Sequence, residues 1–171
     1  MTDYNDERAF ETLYRQYFVR LYRFCFSIIH KKEPAEEIVH DVFVNCWKKR
    51  ETLPAIKNLE LYLYVSVKNL ALNHIRDDHF AKTVDISERM NDFIQWEADP
   101  ESLLVNAETM RRLMQVIDSL PPRCRLVFKL IKEDGLKYKD VATLLDLSIK
   151  TVETQLSIAM KKITAALTPN N

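Results

Sequence analysis

Apolar side chains recur every three or four residues over most of this 171-residue chain, and strand-like alternation never persists beyond a few positions. From Glu7 to about His30, Phe10, Leu13, Tyr14, Tyr17, Leu21, Phe24 and Ile28 mark one face of an amphipathic helix. Pro34 opens a second helix, PAEEIVHDVFVNCWKKR, in its first turn, where a missing amide hydrogen is harmless. Here Ile38, Val39, Val42, Phe43, Cys46 and Trp47 spread over about half of the helical wheel, with Val44 outside that arc. That is more apolar surface than one core contact requires. A break over LPAIKN, Leu53 to Asn58, is punctuated by Pro54. It leads into LELYLYVSVKNLALNHIRDD, where Tyr62, Tyr64, Lys68, Asn69, Asn73 and Arg76 interleave with aliphatics.

From residue 77 to about 103 the periodicity fades, with room for short helical pieces around Phe93 to Trp96. A helix then runs from about Leu103 to Leu120, stops at Pro121-Pro122, resumes through CRLVFKLIKE and turns at Asp134-Gly135. The chain therefore reads as all-α, without a sequence repeat. Two small helical domains, 1–78 and 104–171, are joined by an acidic linker, 79–103.

The last two segments, in YKDVATLLDLSIKTVETQLSIAMKKI, carry the clearest signal. Val141, Ala142 and Leu145 face one way on the first, and Val152, Leu156, Ala159 and Ile163 follow i, i+4, i+7, i+11 on the second. Between them Asp146-Leu147-Ser148 is short enough to force a sharp crossing. Leu147 is available to plug the corner, and Ser148 is placed to cap the second helix. Small Ala142 allows close approach. This is the pattern of a DNA-binding helix-turn-helix, whose second helix offers its early exposed side chains to base edges. Lys150, Thr151, Glu153, Thr154 and Gln155 are the candidates. Lys137, Lys139, Lys161 and Lys162, with Arg123 and Arg125 upstream, are placed for phosphate contacts. A plain helical hairpin with a solvated outer face is the blander alternative.

Composition narrows the classes. The 47% hydrophobic content suffices for packed cores, but no run approaches the roughly 18 apolar residues of a membrane span. The start, MTDYNDERAF, is acidic and polar where a secretory signal is basic and then apolar, so a cytoplasmic protein is expected. Cys25, Cys46 and Cys124 are too few and too far apart for a disulfide framework or a metal knuckle. The single glycine, Gly135, excludes the glycine-rich phosphate loops. The zero net charge hides a pattern: residues 1–76 carry 12 Lys and Arg against 10 Asp and Glu, residues 77–108 carry 2 against 9, and residues 109–171 carry 11 against 6. Two basic ends flank an acidic middle, as suits a nucleic-acid partner.

Taken in order, EEIVHDVFVNCWKK, LYLYVSVKNLALNHIR, LPPRCRLVFKL and the helix-turn-helix segment resemble an extracytoplasmic-function sigma factor of bacterial RNA polymerase, over residues 8 to 167. The resemblance implies a region 2 at 1–78 that binds core polymerase and the promoter's minus-ten element. It implies a region 4 at 104–171 that binds the minus-thirty-five element. Carried onto this sequence, the polymerase-binding residues would be Ile38, Val39, His40, Asp41, Phe43 and Trp47, so that part of the surplus apolar surface would meet the polymerase; the alternative is that all of it is core within the domain, where Trp47 belongs in either case. Leu53, Ile56, Lys57 and Asn58 would belong to the loop that captures a flipped minus-ten base, with Tyr62, Asn69, Asn73 and Arg76 on the helix beyond it; Tyr64 belongs in the core. Lys150, Thr151, Glu153, Thr154, Gln155, Lys161 and Lys162 would meet the minus-thirty-five element. The acidic linker would thread past basic polymerase surfaces. Core RNA polymerase, promoter DNA and an anti-sigma factor are the implied partners, with no cofactor and no covalent chemistry.

The chain also departs from the family. Where members often carry Lys-Ser-Arg and then Arg-Ala-Arg in the recognition helix, it has Glu153-Thr154-Gln155 and Ile158-Ala159-Met160. Promoter preference does not transfer, and fewer phosphate contacts are expected. Asp146 replaces the usual turn glycine, tolerable because Asp enters the left-handed region more readily than most residues. Two rivals remain. Glu37-Ile38-Val39-His40 is one ExxH of a di-iron bundle and His40-Asp41 is the dipeptide of metal phosphohydrolases, but neither His30, His74 nor His79 has Glu three residues before it. A stand-alone helix-turn-helix regulator, with an N-terminal sensing or dimerisation domain, would bind DNA without polymerase.

Overall fold

In the computed structural model, residues 2–79 and 107–167 are described, and every regular element among them is helical. The chain divides into two compact units, Met1–Met90 and Asn91–Asn171. Apart from His79, which closes a helix, the expected linker 79–103 lies outside the described residues, as do the pieces near Phe93 to Trp96 and the start near Leu103. No helix among the described residues is long and apolar enough to cross a membrane.

The first unit packs α1 (Thr2–Ile29), α2 (Lys32–Lys48) and α3 (Leu59–His79) pairwise against one another. α1 begins earlier than its apolar stripe does, and ends where His30 turns left-handed at φ 58. Leu21, Phe24 and Cys25 of α1 meet Ala35, Ile38, Val39, Val42, Phe43 and Cys46 of α2 and Leu63, Tyr64, Val67 and Ala71 of α3 in the core. Tyr64 is fully buried, as expected, with its ring 5.3 Å from that of Phe24. Each helix has two partners, so each needs a wide apolar arc. The arc of α2 is consumed in this way.

The second unit holds α4 (Ala107–Asp118), α5 (Pro122–Phe128), α6 (Tyr138–Leu145) and α7 (Ile149–Leu167). Ile117, Leu120, Cys124, Ala159 and Ile163 form its centre, with Leu113, Val116 and Phe128 packed around them. Arg125 closes the Pro121-Pro122 corner by donating to the carbonyls of Asp118 and Leu120. Beyond Phe128 the helix widens into a π turn, Lys129–Glu133, where the Asp134 amide reaches back to the Lys129 carbonyl at 3.0 Å. Gly135 then reverses the chain at φ 76, a conformation that costs a glycine little, and brings Leu136 into the core.

Candidate nucleic-acid and docking surfaces

The helix-turn-helix is built as its local chemistry dictates. Val141, Ala142 and Leu145 of α6, and Val152, Leu156, Ala159 and Ile163 of α7, are all buried, joined by Leu144. Asp146 adopts the left-handed conformation (φ 54, ψ 45). The amide of Leu147 bonds the Ala142 carbonyl at 2.9 Å and that of Asp146 bonds Thr143, a Schellman closure that satisfies the last carbonyls of α6. Ser148 caps α7, its Oγ accepting from the Thr151 amide at 3.0 Å.

Internal hydrogen bonds on α7 limit what remains for a ligand. The Thr151 hydroxyl is bound to that of Ser148 at 2.8 Å, and the Thr154 hydroxyl donates to the Lys150 carbonyl at 2.9 Å. Gln155 is partly buried, and its Oε1 accepts from the thiol of Cys124 at 2.8 Å. Lys150, Glu153, Lys161 and Lys162 are exposed, so the outer face carries charges of both signs. Of the phosphate candidates upstream, Arg123 is exposed, but Arg125 is turned inward to the Asp118 and Leu120 carbonyls. Lys137 and Lys139 are exposed.

In the first unit the break Leu53–Asn58 is ordered by a short 3₁₀ turn, Leu53–Ala55, with Pro54 at its start. Leu53 and Ile56 are half-buried and Lys57 is exposed. Asn58 has a structural task besides the expected one: its Oδ1 accepts from the Leu61 amide at 3.0 Å and caps α3. Along α3, Tyr62, Asn69, Asn73 and Arg76 fall at i, i+7, i+11 and i+14, within about 60° of arc. Asn69, Asn73 and Arg76 are exposed, Tyr62 is half-buried, and the Arg76 guanidinium donates to Asn73 Oδ1 at 2.7 Å. The sequence-derived residues thus form one stripe that starts at the loop. Its first turn is tied to α1 by a half-buried ion pair, Arg20 to Glu60 at 2.8 Å, with the guanidinium 5.1 Å above the Tyr17 ring. Burial, and then the Glu60 charge, push the Tyr17 hydroxyl above its ordinary range, while Arg20 opposes them.

Of the sequence-derived residues on α2, Ile38, Val39 and Phe43 are buried, Phe43 at 2% exposure, and pack into the core of the unit. The wide arc that looked surplus on the wheel is covered by α1 and α3. Phe43 sits against Tyr14, ring centroids 4.8 Å apart, and Trp47 packs edge-on against Phe10 at 5.0 Å beneath the Arg50 guanidinium at 4.8 Å. His40 and Asp41 are exposed as expected. His40 is oriented from behind: its Nε2 shares a 3.0 Å hydrogen bond with the Tyr14 hydroxyl, and its ring lies 5.1 Å from that of Phe18. Among the described residues no three His, Cys, Asp or Glu side chains converge on one point. Val44, which lies outside the apolar arc, is 48% exposed on the same outward face as Glu37, His40, Asp41, Asn45 and Lys48.

Comparison with known proteins gives two family matches. The description "Sigma-70 region 2" matches residues 13–80, and "Sigma-70, region 4" matches residues 110–163. The RNA polymerase sigma-H factor of Pseudomonas aeruginosa is 23% identical over 171 residues, covering 96% of this chain and 89% of that protein. The ECF RNA polymerase sigma factor SigW of Bacillus subtilis is 25% identical over 158 residues, 88% of this chain and 84% of its own length. Among solved structures, the sigma factor RpoE of Bartonella quintana, in complex with the anti-sigma factor NepR, shares the fold at TM-score 0.62 and 19% identity, covering 96% of this chain and 99% of that one.

Proposed function

The chain belongs to the sigma-70 family, in its extracytoplasmic-function branch, and on that basis we propose how its exposed faces divide the work of initiation. It is a transcription initiation factor that binds core RNA polymerase, directs it to specific promoters and assists their melting. The observation that carries this is the presence of both sigma regions, in order, on one chain. A stand-alone regulator would need residues 13–80 for sensing or dimerisation, and a region 2 match occupies them.

Region 2 docks core polymerase with the outward face of α2, centred on His40, Asp41 and Val44, while Ile38, Val39 and Phe43 hold that face from within and Trp47 buttresses its end. A charged ring around one exposed valine suits a polar, partly apolar partner surface. An anti-sigma factor competes for the same face.

The loop Leu53–Asn58 and the α3 stripe engage the minus-ten element. Tyr62 offers a stacking ring, and Asn69, Asn73 and Arg76 offer hydrogen bonds to exposed base edges and phosphates. Region 4, from 104 onward, places α7 in the minus-thirty-five major groove. The linker 79–103, part of a segment with net charge −7 over residues 77–108, runs along basic polymerase surfaces and stays off DNA. The factor itself performs no covalent chemistry and works in the cytoplasm with its polymerase.

Permanganate footprinting of promoter thymines tests the division. Holoenzyme carrying Asn69→Ala, Asn73→Ala and Arg76→Ala should bind core normally and leave the minus-ten thymines unreactive. Normal reactivity would remove the α3 stripe from melting.

A further inference from the structure

The side chain of Gln155 is anchored across 31 residues of sequence, its Oε1 accepting from Cys124 Sγ at 2.8 Å. Cys124 is 3% exposed, in the cluster where α7 crosses α5 and α4. Burial pushes its thiol above the ordinary range, against the opposing pull of Lys162, so it stays protonated and keeps its hydrogen to donate. The oxygen and nitrogen of a planar carboxamide diverge from its carbon, so an oxygen engaged by Cys124 turns the NH₂ group away from that thiol. That nitrogen has no partner among the described residues.

We propose that Cys124 is a positioning residue that makes Gln155 a donor-only reader of the promoter. A free glutamine reads adenine with both ends, donating to N7 and accepting from the N6 amino group. With Oε1 held, the accepting half of that pair is gone. The remaining NH₂ can still donate to adenine N7 but offers nothing to the N6 amino group beside it, so it favours guanine, where O6 and N7 both accept, or thymine, with O4. This preference rests on the reading of α7 as the duplex-facing helix. It gives the chain a selectivity device that an arginine at this position would not need, because a guanidinium has only donors.

The test uses holoenzyme assembled from core polymerase and the full chain, selecting on a promoter library randomised across the minus-thirty-five element. The wild type should favour guanine or thymine at one position, and Gln155→Ala should flatten that position. Cys124→Val, which keeps an apolar side chain of similar size but has no donor, should raise adenine there by about fivefold to a hundredfold. Cys124→Ser should restore the wild-type preference. Thermal unfolding checks that the valine variant is folded, with Cys124→Ala as the replacement if it is not. If Gln155→Ala flattens a position but Cys124→Val shifts nothing, the thiol has no role and α7 still reads DNA. If Gln155→Ala alters no position, this part of α7 does not read bases and the positioning role falls with it. Adenine preference in the wild type also overturns it.

Discussion

Phe43 and Val44 are neighbours in sequence and opposites in environment, 2% and 48% exposed. Phe43 touches the rings of Phe10, Tyr14 and Phe18 at centroid distances of 6.1, 4.8 and 6.4 Å. Truncating such a side chain to alanine removes its transfer free energy and leaves a cavity between α1 and α2, costing about 3–5 kcal/mol. A unit of this size has a total stability of the order of 5–10 kcal/mol, so Phe43→Ala should bring it close to unfolding. Val44→Asp should change stability by no more than about 0.5 kcal/mol, because the side chain already stands in water. Its effect belongs to docking. Covering the exposed half of a valine contributes roughly 1 kcal/mol, and burying a carboxylate there without a partner costs about 1–3 kcal/mol more. Core polymerase binding should therefore weaken by about 30-fold to 1000-fold. Denaturant unfolding measures the first quantity and titration of labelled factor into core enzyme the second. Val44→Asp that unfolds like Phe43→Ala, or that binds core like the wild type, would refute the division of α2 into a buried face and a docking face.

Three further outcomes are expected. Ser148→Ala deletes the cap of α7 and should cost about 1 kcal/mol, with faster hydrogen exchange at the Thr151 amide; unchanged exchange would mean the cap contributes nothing. Asp41→Lys reverses an exposed charge on the docking face and should weaken core binding at least tenfold with an unshifted thermal midpoint, and normal binding would move the docking face elsewhere. Burial pushes the Cys25 thiol from 9.0 up to about 12, so the folded chain keeps a proton that the unfolded chain releases. Its contribution to stability is intact below about pH 9 and is lost as pH rises toward 12. Between pH 8 and 11 the wild type should lose more stability than Cys25→Ala, and equal losses would contradict the assignment.

The helix-turn-helix was legible because everything that defines it is local. The two apolar stripes, the left-handed Asp146 and the Ser148 cap lie within 25 residues of one another, and each follows from side-chain chemistry at its own position. The helices of region 2 were legible for the same reason. Their partners were not. A helical wheel counts apolar positions on α2 but does not reveal that α1 and α3 both pack on it, so a core arc of ordinary use looked like spare surface. Asn58 shows a related ambiguity, since a polar residue after a proline-bearing loop suits both a helix cap and a base contact. The bonds of Gln155 to Cys124 and of Arg20 to Glu60 join residues far apart in sequence and have no periodic signature. Arg125 looked like a phosphate contact because its charge is visible in sequence and its carbonyl partners are not.

The most direct test is to mix the purified full chain with core RNA polymerase, isolate the complex, and follow run-off transcription from a pool of genomic fragments. A sigma factor should be retained on core and should produce discrete start sites that core alone does not use. Core ignored while duplex DNA is bound tightly would contradict that role and leave a stand-alone regulator.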